Sequence, residues 1–353
     1  MAIHELSERE RRVLEAVVRS YVETAEPAGS RTISRRFGIG VSPATIRNTM
    51  SDLEEKGFLF HPHTSAGRIP TDKAYRVYVD DLMMQVEPPA AIDRERLAEQ
   101  ITGGGSAIET ILRRAAQSLG VLTQELGLAL GPRLDQTLLL RLELVRLTSE
   151  KLILVLTLKG GTVRTIFIEI RGEIADEAIA VVQQVLNERL GGLSLAEIRT
   201  SLGTRLRDAS PGGDVHELLN IFLQEGEQLF DVSSPREEET VVLGQASVLV
   251  EQPEFATGES MKRLITLTET RSQLATLLRD RAAAPGAPAT GVSITIGDEH
   301  GSQLLGGLTL VTAEYRAGSL TGVIGVIGPT RMPYEKVISL VSHTSSLISD
   351  LLT

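Results

Sequence analysis

Cysteine is absent from all 353 residues, which excludes disulfides, thiolate metal sites and cysteine nucleophiles. Such a chain suits a reducing compartment. The opening residues MAIHELSERERRVLEA lack the apolar core of a signal peptide, and no apolar run approaches the length of a membrane span. A cytoplasmic location with no membrane partner is therefore expected. Aromatic residues are scarce as well: between positions 120 and 250 only Phe167, Phe222 and Phe230 occur, a poor supply for stacking a ring-shaped ligand. The most local absence concerns charge. From Pro27 through Ser51 there is no carboxylate, although Arg31, Arg35, Arg36 and Arg47 all lie in that window.

What is present fits an ordinary globular protein. Hydrophobic residues make up 42% and charged ones 23%, with length enough for two or three domains. A net charge of −10 argues against a polyanion partner until its distribution is considered. Residues 1–84 hold 12 Lys/Arg and 12 Asp/Glu, while the remainder holds 24 and 34. A neutral head with a basic segment, tied to an acidic body, would be oriented by charge toward nucleic acid.

The head reads as three helices, a ribbon and a fourth helix. Ser7-Glu8-Arg9-Glu10 is a capping box, followed by Val13, Leu14, Val17, Val18 and Tyr21 at helical spacing. A second helix starts at Ser30, turns Ile33 and Phe37 inward and stops at Gly38. The turn FGIGVS leads to VSPATIRNTM, where Ser42 is the cap and Pro43 opens the first turn. FLFHPHTSAGRIP then forms an apolar strand, a polar loop and a return through Arg68, before a helix from Asp72 to Met84. QVEPPAAID reads as a linker.

Beyond it, TLLLRLELVRL, KLILVLTL and TVRTIFIEI have strand character. Residues 174–230 are helical, with a second capping box at Ser194–Glu197. Strand character resumes at VVLGQASVLV, a long helix covers Ser260 to Arg281, and three further strands precede a helix from Tyr334. A strand set interrupted by helices and then resumed suggests an inserted subdomain.

Two helices joined by a short glycine-bearing turn match the helix-turn-helix, whose second helix enters the DNA major groove. Projected at 100° per residue, Ile46, Met50 and Leu53 share the core face. Ala44, Arg47, Asn48 and Ser51 fall opposite, with Thr45 on the flank. Arginine can pair with guanine, asparagine with adenine, and the alanine methyl can touch that of thymine. A helix start free of acids, with Ser42 beside it, can seat a backbone phosphate. The ribbon would be a wing carrying Arg68 toward phosphate or a minor groove. Candidate DNA-binding residues are thus Arg31, Ser42, Ala44, Thr45, Arg47, Asn48, Ser51 and Arg68.

SPATIRNTMSDLEEKGFL, followed by HTSAGRIPTDKAYRVYVD, resembles the heat-inducible transcription repressor family HrcA. SVLVEQPEF and GVIGVIGPTRMPY extend the resemblance from end to end. It implies a multidomain α/β (α+β) chain with a winged helix-turn-helix, a GAF-like α/β domain and an inserted, mainly helical dimerising domain. The expected boundaries are 1–86 for DNA binding, 87–172 and 236–353 for the GAF-like domain, and 173–235 for the insert. The resemblance also implies repression of chaperone operons as a homodimer on double-stranded DNA, at the inverted-repeat operator CIRCE. The GroE chaperonin is the implied protein partner.

Other chemistry finds little support. His61 and His63 share a strand face, but no third metal ligand is apparent. The glycines of GVIGVIGPT lack the Lys-Ser/Thr ending of a phosphate loop and lie within a strand, where close packing explains them. Asp298, Glu299 and His300 sit on a turn with no catalytic companions. Neither an enzyme nor a cofactor is expected. The rival reading is a metabolite sensor, with a pocket lined by the apolar faces of Ile153 to Ile170 and Val323 to Ile327.

Overall fold

The computed structural model describes residues 6–62, 67–84, 86–103, 108–132, 137–159, 163–170, 174–207, 213–230, 241–282, 291–301, 305–318 and 320–352. The tip of the ribbon, including His63, lies outside them, as do both ends of the expected insert at 172–173 and 235–236.

The head follows its sequence signals closely. In α1 (Glu8–Thr24) the Ser7 hydroxyl accepts from the Glu10 N–H, and the Glu10 carboxylate accepts from the Ser7 N–H at 2.8 Å. Val13, Leu14, Val17 and Val18 are buried along one face. α2 (Ser30–Phe37) buries Ile33 and ends at Gly38 in the left-handed region. α3 (Pro43–Glu55) buries Ile46, Met50 and Leu53, the three positions that helical projection assigns to the core. Strands β1 (Leu59–Phe60) and β2 (Ile69–Pro70) pair antiparallel, and α4 (Asp72–Met83) is capped by Thr71.

Glu10 also receives the Lys56 ammonium at 2.6 Å, which ties the start of α1 to the end of α3. That bond, with the Ser7 N–H, holds the carboxyl at about 2 against an ordinary 4.5. A depressed pKa stabilises the fold fully above pH 4.5, and the contribution disappears as pH falls toward 2. Glu10→Gln should therefore cost roughly 1–3 kcal/mol at neutral pH. In urea unfolding curves the gap to the parent should close between pH 4.5 and 2; a gap independent of pH would refute this role.

The remainder falls into two compact groupings. Met1–Gly131, Val241–Tyr315 and Val323–Leu351 form one unit, and Pro132–Thr240 makes up most of the other. In the first unit, α5 (Ala91–Thr102) and α6 (Ile108–Thr123) lead to a five-stranded sheet. Its strands are β3 (Leu126–Leu130), β7 (Val241–Leu243), β8 (Val292–Ile296), β9 (Leu308–Ala317) and β10 (Leu320–Pro329), in the order β7-β3-β10-β9-β8. Leu126, Leu128 and Leu130 join Leu264, Leu267, Leu274, Val323 and Ile327 in one apolar core. Two glycines of GVIGVIGP are required by packing. A Cβ at Gly325 would overlap the Val311 carbonyl, and one at Gly328 would overlap the Glu125 carboxylate. These two glycines therefore serve the packing of the sheet.

The second unit departs from the sequence expectation. Strands β4 (Leu139–Thr148), β5 (Lys151–Leu158) and β6 (Val163–Glu169) form their own antiparallel sheet. They share a core with α7 (Asp176–Leu190), α8 (Leu195–Leu206) and α9 (Asp214–Leu229). These strands are assigned by sequence to 87–172, apart from the helices; instead they complete the helices' core, so the grouping is mixed rather than mainly helical. The alternation of β5, with Leu152, Leu154, Leu156 and Leu158 buried, shows that one face is covered but not by which elements. Two smaller differences are local. VVLGQASVLV gives a strand of three residues and then a helical turn at Ser247–Val250, because Gly244 and Gln245 interrupt the run. The long helix breaks at Thr270 into Gly258–Glu269 and Arg271–Ala282.

Candidate nucleic-acid interface

α2 and α3 are joined by residues 38–42, and neither helix has an acidic residue in its first turn. The orphan N–H groups of both helix starts and the positive ends of both dipoles are left without a local counter-charge. The Ser42 hydroxyl accepts from the Thr45 N–H at 3.1 Å and lies 3.0 Å from the Thr45 hydroxyl. This cap sets the exit angle of α3 and holds Thr45 against the backbone, half-buried. Ala44, Arg47, Asn48 and Ser51 are exposed on the side opposite Ile46, Met50 and Leu53. Thr49, between the two faces, is buried and donates its hydroxyl to the Thr45 carbonyl at 3.1 Å.

The cations of the window divide into two kinds. Arg31 and Arg47 are exposed, and among the described residues neither has a carboxylate partner. Arg35 shares that state, although it was not among the sequence candidates. Its signal was the acid-free window itself, which contains it. Arg36 is different: it pairs with Glu23 and lies over the Phe37 ring at 5.7 Å.

Arg68 is placed differently from the other candidates. Its side chain is only 16% exposed, and its Nε stands 2.8 Å from the Glu54 carboxylate near the end of α3. Its backbone exchanges hydrogen bonds with Ala28, at 2.8 and 2.9 Å, just before α2. The guanidinium therefore turns back as a strut between ribbon and helix instead of reaching outward. The sequence could not show this, because the nearest acid along the chain from Arg68 is not the one that meets it in space.

The rejected candidates acquire structural roles. Glu299 pairs with Arg76, and His300 Nε2 lies 2.9 Å from the Leu308 carbonyl oxygen. Burial works against the Glu299 carboxylate, yet Arg76 and the Ile296 N–H hold its pKa below the usual value. Among the described residues no three His, Asp or Glu side chains are grouped to hold a metal ion. Nor, among them, is any helix long and apolar enough to cross a membrane.

A family model described as the HrcA protein C-terminal domain matches residues 109–338. The heat-inducible transcription repressor HrcA of Chlorobium phaeobacteroides (strain BS1) is 40% identical over 356 residues, covering 99% of each chain. The chain belongs to the HrcA family. The HrcA repressor of Geobacter sulfurreducens is 39% identical, across 99% of this chain and 98% of its own. A crystal structure of a hypothetical protein at 2.2 Å resolution shares the fold, with a TM-score of 0.60 over 99% of both chains at 24% identity. Membership of the HrcA family agrees with the expectation that the chain is not an enzyme.

Proposed function

We propose that the chain is a heat-inducible transcription repressor whose head is a winged helix-turn-helix. The observation that carries this reading is the exposed face of α3, with Ala44, Arg47, Asn48 and Ser51 outward above a helix start that has no acids. In this reading α3 enters the major groove, Arg47 and Asn48 contact base edges, and Ser42 and the helix start hold position on a phosphate. Arg31 and Arg35 add backbone contacts, while Arg68 keeps the ribbon in place. The five-stranded sheet and its helices are the GAF-like domain.

The repressor acts as a homodimer, and the second copy docks on the open face of β4–β6. Val145, Leu147, Val163 and Phe167 are 48%, 53%, 60% and 64% exposed there, away from α7–α9. Val145, Ile153 and Phe167 form one cross-strand row. Exposed apolar side chains in adjacent rows of one sheet face support a protein contact. Two heads related by a two-fold axis would meet an inverted repeat, such as CIRCE, with half-sites whole turns apart. Binding across a promoter in the cytoplasm blocks transcription, and the GroE chaperonin maintains the active fraction.

Selection of duplexes from a random pool at fixed salt tests this reading. An inverted repeat should emerge, bound with an affinity that falls as salt rises. Added GroE should raise the bound fraction. Recovery of no common sequence would overturn the proposal. The strand faces named for a metabolite pocket lend it little support: Val323 and Ile327 are buried in the core of the five-stranded sheet, and half-buried Ile153 shares a row with exposed Val145 and Phe167.

A further inference from the structure

The linker read at QVEPPAAID does not leave the head free, because head and five-stranded sheet belong to one compact unit. Two arginine clamps hold them. Arg331, from the GPTRM run, pairs in bidentate fashion with Glu254 of the EQPEF run, at 2.5 and 3.1 Å. Its remaining Nη1 donates to the Val22 carbonyl at 2.9 Å, in the last turn of α1. α1 has no basic residue of its own in that turn, so Arg331 supplies the cation that a helix C-terminus favours. These groups are mostly shielded, with Arg331 16% and Glu254 29% exposed.

The second clamp grips α4. Arg76 donates from Nε to Glu299 at 2.7 Å and from Nη2 to the Ile294 carbonyl at 2.9 Å. Beside it, the Asp298 N–H donates to the Asp72 carboxylate at 3.1 Å. Gly297, at φ 50°, packs so close to Asp72 that any Cβ would overlap that carboxylate. Near Arg76, the Tyr75 and Tyr78 rings lie 5.9 and 6.4 Å from the buried Tyr334 ring. The clamps grip two different helices, α1 and α4, so rotation of the head about either one is opposed by the other.

We infer that Arg76 and Arg331 are positioning residues for DNA, setting the angle at which α3 is presented and hence the half-site spacing that the dimer accepts. The inference rests on the dimeric, inverted-repeat reading above. α3 packs on α1, so an angle fixed at Val22 is carried to Arg47 and Asn48. A rigid pair of heads gains avidity only at a matching spacing, whereas loosened heads tolerate mismatch.

The test uses the full-length chain and half-site duplexes recovered from the random pool, carrying one site or two. For the parent, moving one site by half a turn, about 5 bp, should weaken binding by about tenfold or more. For Arg76→Ala/Arg331→Ala the same shift should cost less than about threefold, with single-site affinity within about twofold of the parent. Gly297→Ala leaves both arginines in place but forces the loop off Asp72, and should lose discrimination in the same direction; it decides the matter if the double variant does not fold. Retained discrimination in a folded variant, or single-site affinity falling in step with two-site affinity, would overturn the inference. A parent protein indifferent to spacing would overturn the inference before any variant is compared, whereas failure to recover an inverted repeat from the pool would overturn the reading on which it rests.

Discussion

Replacing Arg47 and Asn48 together by alanine is expected to abolish sequence-specific retardation of an inverted-repeat duplex while leaving the fold and the oligomeric state unchanged. Both side chains are exposed on α3, and neither contributes to the core formed by Ile46, Met50 and Leu53. Unfolding temperature should therefore stay close to that of the parent. A good bidentate contact to a base edge discriminates by about 1–3 kcal/mol, so two per half-site give about 2–6 kcal/mol. Non-specific binding should survive in part, because Arg31, Arg35 and the helix starts remain to meet phosphates. The salt dependence of that residual binding should be shallower by about one phosphate per half-site if Arg47 also touches the backbone. Electrophoretic retardation with specific and scrambled duplexes measures both quantities. Unchanged preference for the specific duplex would remove α3 from the role of reading helix.

The second large effect is expected from Phe167→Glu on the open sheet face. Phe167 is 64% exposed in the single chain, so a carboxylate there meets solvent and costs the fold little. In a dimer that buries this face, the same carboxylate would be placed in an apolar contact without a partner. The variant should sediment as a monomer with an unchanged circular dichroism spectrum. Operator affinity should then fall by about 10²–10⁴-fold, since the second half-site no longer gains from the first. Binding to a single half-site should be retained. A Phe167→Glu protein that still sediments as a dimer would place the contact elsewhere.

The head was the most legible part of the sequence, and the reason is that its signals are local. Capping boxes, a glycine stop and i, i+3, i+4 spacing act within a turn or two, so Ser7, Gly38 and Ser42 announce their helices without reference to the rest of the chain. The same holds for Ser194 and Glu197 at the start of α8, whose reciprocal cap is formed. The candidate reading face was legible for the same reason, since helix geometry separates Arg47 and Asn48 from Met50 and Leu53 by rotation alone.

Where partners lie far apart in the chain, no such local signal exists. Arg68 looked like an exposed basic residue of a wing, yet Glu54, 14 positions earlier, takes it inward. Glu299 looked like an unattached acid on a turn, and Arg76, 223 positions away, is its partner. Strands β4–β6 showed one covered face, but only packing revealed that α7–α9 cover it while the opposite face stays open.

By itself, then, the sequence determined the helices of the head, the bare positive start of α3 and the family, because each depends on short-range chemistry written in consecutive residues. The tertiary structure alone decided which arginines are free to meet a polyanion and which are struts, and that head and sheet are clamped into one unit. Those outcomes depend on charges and apolar faces that meet only after the chain has folded, and no local spacing encodes such a meeting.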